Sequence, residues 1–153
     1  VFIFYFFNDK FKDETAIISI DGSEEGKTNE SEIALDIPLE YQAPYSRLCQ
    51  LMSEGIYTQT QLTISQLAHK LKMPEHRLRE LINSHLGFRN FSKFLNSYRL
   101  PAACSALEDV ANMRKPILTI ALELGYGSIA PFNRAFKVKT GKTPKEYRND
   151  FQK

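Results

Sequence analysis

An all-α fold is predicted, in which two copies of a short helix, a tight turn and a second helix are joined by a long linker helix and preceded by an acidic, partly extended N-terminal segment. Three observations predict it. From Tyr45 onward apolar residues recur at spacings of three and four, the period of a helix with one buried face. Two stretches of this pattern can be laid over each other at a nearly constant offset. The charge also divides the chain. Residues 1–45 hold three Lys/Arg against ten Asp/Glu, whereas residues 46–153 hold seventeen against eight. We therefore expect a segment over 1–44 and a helical domain over 45–153.

Composition supports a globular protein of about one domain, since 42% of the 153 residues are hydrophobic and 25% are charged. A longest apolar run of seven residues, Val1 to Phe7, excludes a complete transmembrane span. Two cysteines, Cys49 and Cys104, exclude a disulfide framework and a four-cysteine zinc site; both read as small buried hydrophobes.

The chain begins at Val1 without an initiator Met and reads as a fragment or processed product. Val1–Phe7 lacks the basic start and small-residue cleavage site of a signal peptide. It can be the end of a membrane helix, a strand of an upstream domain, or an apolar arm docked on the basic half. Thr15–Ile20 is β-branched and runs into Asp21-Gly22, a turn signal. Ser23–Glu32 is polar and acidic and buries nothing. Ile33–Leu39 can pair with Thr15–Ile20, with Pro38 confining it to a sheet edge.

The helical domain starts with the stripe Leu48, Leu51, Met52 and Ile56. Thr63-Ile64-Ser65-Gln66 is a capping box that opens a helix with Ile64, Leu67, Ala68 and Leu71 on its inner face. Pro74 opens the next helix, which buries Leu78, Leu81 and Ile82 and ends at Gly87. The linker helix, about Phe91 to Val110, carries Phe91, Phe94, Leu95, Tyr98, Ala102 and Leu107, with a kink or split expected at Pro101. Pro116 then opens a helix with Ile117, Ile120, Ala121 and Leu124. Gly125-Tyr126-Gly127 makes the turn, Ser128 caps a helix that buries Phe132, Ala135 and Phe136, and Gly141 ends it. Thr143-Pro144-Lys145-Glu146 caps a last short helix.

Ile64, Leu67, Ala68 and Leu71 correspond to Ile117, Ile120, Ala121 and Leu124 at an offset of 53. One extra residue after the second turn makes the offset 54 for Leu78, Ile82 and Gly87 against Phe132, Phe136 and Gly141. The repeat reads as two helix-turn-helix units. The motifs Ile120-Ala121-x-x-x-Gly125-Tyr126, Phe132-Asn133-Arg134-Ala135-Phe136-Lys137 and Gly141-x-Thr143-Pro144-x-x-Tyr147-Arg148 resemble the DNA-binding domain of the AraC/XylS family of bacterial transcription regulators, over residues 45–150. The first unit departs from the family wording: Lys72 stands where the family usually has Gly, and Pro74-Glu75-His76-Arg77-Leu78-Arg79 replaces its small polar start. The departures suggest a subgroup often fused behind membrane-spanning segments.

The resemblance implies a cytoplasmic, sequence-specific regulator of transcription, with double-stranded DNA as partner, RNA polymerase as a second one, and an inner-membrane anchor through a missing N-terminal region. Recognition helices over about 74–85 and 128–138 would enter successive major grooves. Twenty linker residues at about 1.5 Å each span roughly 30 Å, against a duplex repeat of about 34 Å. By similarity, His76, Arg79, Glu80, Ala130 and Arg134 occupy base-contacting positions. Arg79 can span guanine O6 and N7, and Glu80 can accept from a cytosine amine or instead hold Arg77 or Arg79 in a salt bridge. Ile129, Ala130 and Pro131 offer no side-chain donors, which puts more of the specificity on the first unit. Phosphate contacts are expected from Thr63, Arg77, Arg89, Asn90, Ser128, Lys137, Lys142 and Thr143, many of which also read as caps or solvated residues. Arg99 and Arg148 read as structural partners of acids.

Other functions find less support. His69, His76 and His85 lack the i, i+4 spacing or Cys partners of a zinc site. No phosphate-binding glycine loop or Ser/His/Asp arrangement stands out, so no cofactor, metal or enzymatic activity is expected. A protein-interaction module using Phe88, Phe91 and Phe94 is the remaining alternative.

Overall fold

The computed structural model describes residues 37–151. Seven α-helices run through them: α1 Leu39–Ser53, α2 Ile64–Leu71, α3 Glu75–Glu80, α4 Phe91–Glu108, α5 Ile117–Glu123, α6 Ile129–Thr140 and α7 Pro144–Phe151. Short 3₁₀ turns lie at Ile56–Thr58 and Val110–Asn112, and no strand occurs among the described residues. The expectations for Val1–Phe7, Thr15–Ile20 and Ser23–Glu32 fall outside them.

The first helix begins ahead of the predicted onset at Tyr45. Leu39 is helical rather than the end of an edge strand, and Pro44 lies within the helix. Pro38, its N-cap, is extended with φ −51° and ψ 144°, suited to the turn before a helix. Tyr41 extends the buried stripe of Leu48 and Met52 backwards by one more heptad, and Ile37 joins the same core. The helical domain thus takes in residues 37–44, which lie in the span expected to be linker.

Two apolar cores form. The first gathers Tyr41, Leu48 and Met52 of α1, Leu67, Ala68 and Leu71 of α2, Leu78, Leu81 and Ile82 around α3, and Phe94 and Leu95 of α4. The second gathers Leu100, Ala103 and Leu107 of α4, Ile120 and Ala121 of α5, Tyr126, and Phe132 and Phe136 of α6. The helix α4 feeds both cores from successive turns. It runs unbroken for 18 residues with Pro101 inside it, so the expected split does not occur. Phe132 and Phe136 are fully buried, and truncating either to Ala costs about 3–5 kcal/mol by cavity formation.

Local signals act as expected at most helix ends. Thr63 Oγ1 accepts from the Gln66 N–H at 3.2 Å while Gln66 Oε1 accepts from the Thr63 N–H at 3.0 Å. Thr143 and Glu146 repeat this arrangement before α7. Gly87 and Gly141 both adopt φ 74°, closing the second helix of each unit in the left-handed region. After α3 the chain continues as a π-helical turn over Leu81–His85, with the Leu86 N–H reaching the Leu81 carbonyl at 2.9 Å.

Candidate nucleic-acid interface

The two turns that hold the recognition helices are built alike. In the first, the N–H of Lys72 donates to the His69 carbonyl at 3.1 Å and that of Met73 to the Ala68 carbonyl at 3.1 Å. In the second, Gly125 donates to Leu122 at 3.0 Å and Tyr126 to Ala121 at 3.1 Å. Each donor and acceptor pair is related to its counterpart by the offset of 53 read in the sequence. Buried Leu78 and Ile82 turn the rest of α3 outward, and buried Phe132 and Phe136 do the same for α6.

On α3, His76, Arg79 and Glu80 are exposed and Arg77 is half-buried. The Arg79 Nη2 pairs with the Glu75 Oε1 at 2.6 Å across one helical turn. Such an exposed pair is worth about 0.3–0.5 kcal/mol and gives way easily to a stronger partner. Glu80 does not hold Arg77 or Arg79 as one reading expected; its Oε2 accepts from the Tyr41 hydroxyl at 2.6 Å. Arg77 lies 4.7 Å over the Tyr41 ring and its Nη2 meets the Glu40 Oε2 at 2.7 Å. The His85 ring packs 4.8 Å from the same tyrosine. The Glu80 carboxylate holds the Tyr41 phenol above its ordinary pKa, with Arg77 opposing it. The first turn of α1 therefore grips one side of α3.

On α6, Ile129, Ala130, Pro131, Asn133, Arg134 and Lys137 are exposed. Arg134 has no ion pair among the described residues. Ser128 is the N-cap of α6, yet its side chain makes no capping bond, contrary to the expectation.

The flanking residues divide. Arg89 is exposed. Asn90 caps α4, its Oδ1 accepting from the Lys93 N–H at 2.9 Å. Thr63 and Thr143 are both engaged in their capping boxes. Lys142 pairs with Asp150 at 2.6 Å. Arg99 and Arg148 are structural, but not through acids. Arg99 bonds the carbonyls of Tyr57 and Gln59, and the Arg148 Nη1 reaches the Met113 carbonyl at 3.4 Å.

Residues Glu40, Tyr41 and Asn96 were not anticipated. The signal for Tyr41 was present, since Tyr41, Tyr45, Leu48 and Met52 keep the helical spacing of four, three and four. Phe88, Phe91 and Phe94 do not form a free surface: Phe94 is buried, and the rings of Phe88 and Phe91 stand 5.3 and 6.1 Å from its own. Cys49 and Cys104 are partly buried and are not joined in a disulfide, and burial raises the Cys49 pKa. No group of three or more His, Cys, Asp or Glu among the described residues is placed to hold a metal ion.

Two units built on the same turn, each presenting the outer face of its second helix with an exposed arginine, Arg79 on α3 and Arg134 on α6, define a helix-turn-helix module. The family described as "Helix-turn-helix domain" matches residues 67–150. This chain belongs to that family, in its AraC type. An uncharacterized HTH-type transcriptional regulator of Staphylococcus aureus strain MSSA476 is 36% identical over 89 residues, covering 58% of this chain and 11% of the relative. The match thus spans about a tenth of that protein's length. Among solved structures, the C-terminal domain of AraT, a response regulator from Geobacillus stearothermophilus, has a TM-score of 0.60 at 26% identity, over 71% of this chain and 85% of that one. The C-terminal domain of the two-component response regulator yesN from Fusobacterium nucleatum has a TM-score of 0.54 at 28% identity, over 68% and 97%.

Proposed function

We propose that this domain binds double-stranded DNA in a sequence-specific manner as the DNA-reading part of a bacterial transcription regulator, with α3 and α6 in successive major grooves. The observation that carries this reading is the repeated turn geometry, which presents the outer faces of α3 and α6 with Arg79 and Arg134 exposed on them. Eighteen residues of α4 span about 27 Å at 1.5 Å per residue, comparable with one duplex repeat of about 34 Å. Names of the relatives point the same way, toward transcription regulators.

Arg134, Arg79 and His76 are the proposed base readers, and Ala130 supports them by apolar contact with thymine methyls. Glu80 reads a cytosine amine in this scheme only while Tyr41 leaves its second oxygen available. Arg89, Lys137 and the helix starts at Thr63, Asn90, Ser128 and Thr143 serve phosphates, and Arg77 and Lys142 do so on exchanging their carboxylate partners for DNA. DNA reading places the domain in the bacterial cytoplasm, with RNA polymerase as a second partner. No helix among the described residues is long and apolar enough to cross a membrane, so an inner-membrane anchor has to lie outside residues 37–151. Chemistry on a substrate has no part in this reading.

The test starts with sites selected from random DNA pools. Arg134→Ala is expected to cost roughly 1–3 kcal/mol on a selected site and little on random duplex. An equal loss on both removes the base-reading role. Wild-type affinity should also fall steeply with rising salt, as phosphate neutralisation releases counterions.

A further inference from the structure

Polar groups, not shared apolar residues, tie the two cores together around the middle of α4. Arg99 is only 7% exposed. Its Nε donates to the Tyr57 carbonyl at 2.7 Å and its Nη2 to the Gln59 carbonyl at 3.2 Å, both in the segment that precedes α2. The guanidinium also lies 5.2 Å over the ring of Tyr126, in the turn before α6. The Tyr126 hydroxyl returns to α4, donating to the Asn96 Oδ1 at 2.8 Å. Gly125 brings the second turn close, since a Cβ there would stand 2.7 Å from both the Thr58 carbonyl oxygen and the Arg99 Nη2. One side chain therefore holds the segment before α2, the linker and the turn of the second unit at a single point.

A buried cation bonded to carbonyls is an expensive way to fill space, because desolvation offsets much of what its bonds return, and an apolar side chain would stabilise as well. A planar guanidinium instead fixes directions, as its forked donors and flat face engage different partners at set angles. We propose that Arg99 is a positioning residue that sets the angle and separation of the two helix-turn-helix units, and thereby the half-site spacing that the domain accepts on DNA. This rests on the DNA-binding reading for its consequence, but the geometric part stands apart from it.

The experiment compares wild type with Arg99→Met in two measurements. Spin labels on cysteines placed at Ser65 in α2 and Asn133 in α6, with Cys49 and Cys104 changed to Ser, report the distance between units by pulsed electron resonance. A narrow distribution is expected for wild type and a broad or shifted one for the variant; identical distributions overturn the proposal. On duplexes carrying a selected site, the spacing between half-sites is then changed one base pair at a time. Wild type should lose roughly tenfold per base pair, because each step rotates the second groove by about 35°, while the variant binds more weakly at the best spacing and falls off less. A variant profile parallel to that of wild type also overturns it. If wild type binds no duplex yet the variant broadens the distance distribution, the DNA reading fails and the positioning role holds. If Arg99→Met loses its helical circular dichroism, Asn96→Ala with Tyr126→Phe loosens the same junction without removing the cation, and an unchanged distance distribution there overturns the proposal.

Discussion

Lys72 and Gly125 occupy the same place in the two units, each closing the turn between the helices with matching hydrogen bonds, and each in the left-handed region at φ 54° and 88°. The first turn tolerates a lysine, whose side chain is exposed. The second does not, because the Thr58 carbonyl and the Arg99 guanidinium stand where a Cβ would be. Backbone conformation alone thus does not explain why glycine is needed; the neighbour across the junction does. The recognition helices differ in a complementary way. The helix α3 is gripped by Glu40 and Tyr41, whereas no ion pair among the described residues engages Arg134 on α6. The first unit is braced from the N-terminal side and the second through the linker.

Among changes at the turns and their contacts, the largest effect should come from Gly125→Ala, where left-handed strain and the clash with Thr58 add; a loss of about 3 kcal/mol in chemical denaturation is expected. A loss under 1 kcal/mol would mean that the two turns are equivalent after all. Tyr41→Phe removes the bond to Glu80 and should cost about 1 kcal/mol of stability. It should also alter the base preference opposite α3 while leaving that opposite α6 unchanged, which site selection with the variant would show. Lys72→Gly relieves left-handed strain but adds freedom to the unfolded chain, for a net gain of roughly 0.5–1 kcal/mol seen as a higher midpoint. The smallest effect concerns α7. The Thr143 N–H and hydroxyl hold the Glu146 carboxyl below its ordinary value of 4.5. A carboxylate with a depressed folded pKa stabilises above its unfolded pKa, and the contribution is lost as pH falls through the folded one. Melting curves of wild type and Glu146→Gln should therefore differ at neutral pH and converge in acid.

Much of this was legible in the order of residues. Capping boxes at Thr63 and Thr143, glycines at 87 and 141, and the inner faces of α2, α3, α5 and α6 follow from contacts within a few positions, where local sterics and hydrogen bonding dominate. The start of α1 is not legible because Ile33–Leu39 reads as an edge strand limited by Pro38, while Tyr41 gains its helix by packing in the first core and bonding Glu80, 39 residues away. Pro101 reads as a kink or a split, and of the two the split does not occur, as burial of Leu95, Leu100 and Leu107 on either side keeps the helix continuous. Arg99 was assigned an acidic partner, and carbonyls 40 and 42 residues earlier took that place.

By itself, the order of amino acids determined the helices, their inner faces and the two-fold repeat, since each depends on periodicity and on neighbours along the chain. Tertiary structure alone decided which exposed side chains are already engaged, why one turn demands glycine while its twin accepts lysine, and how the two units are joined. Those outcomes depend on groups dozens of positions apart meeting within hydrogen-bond distance, and no local pattern encodes such an encounter.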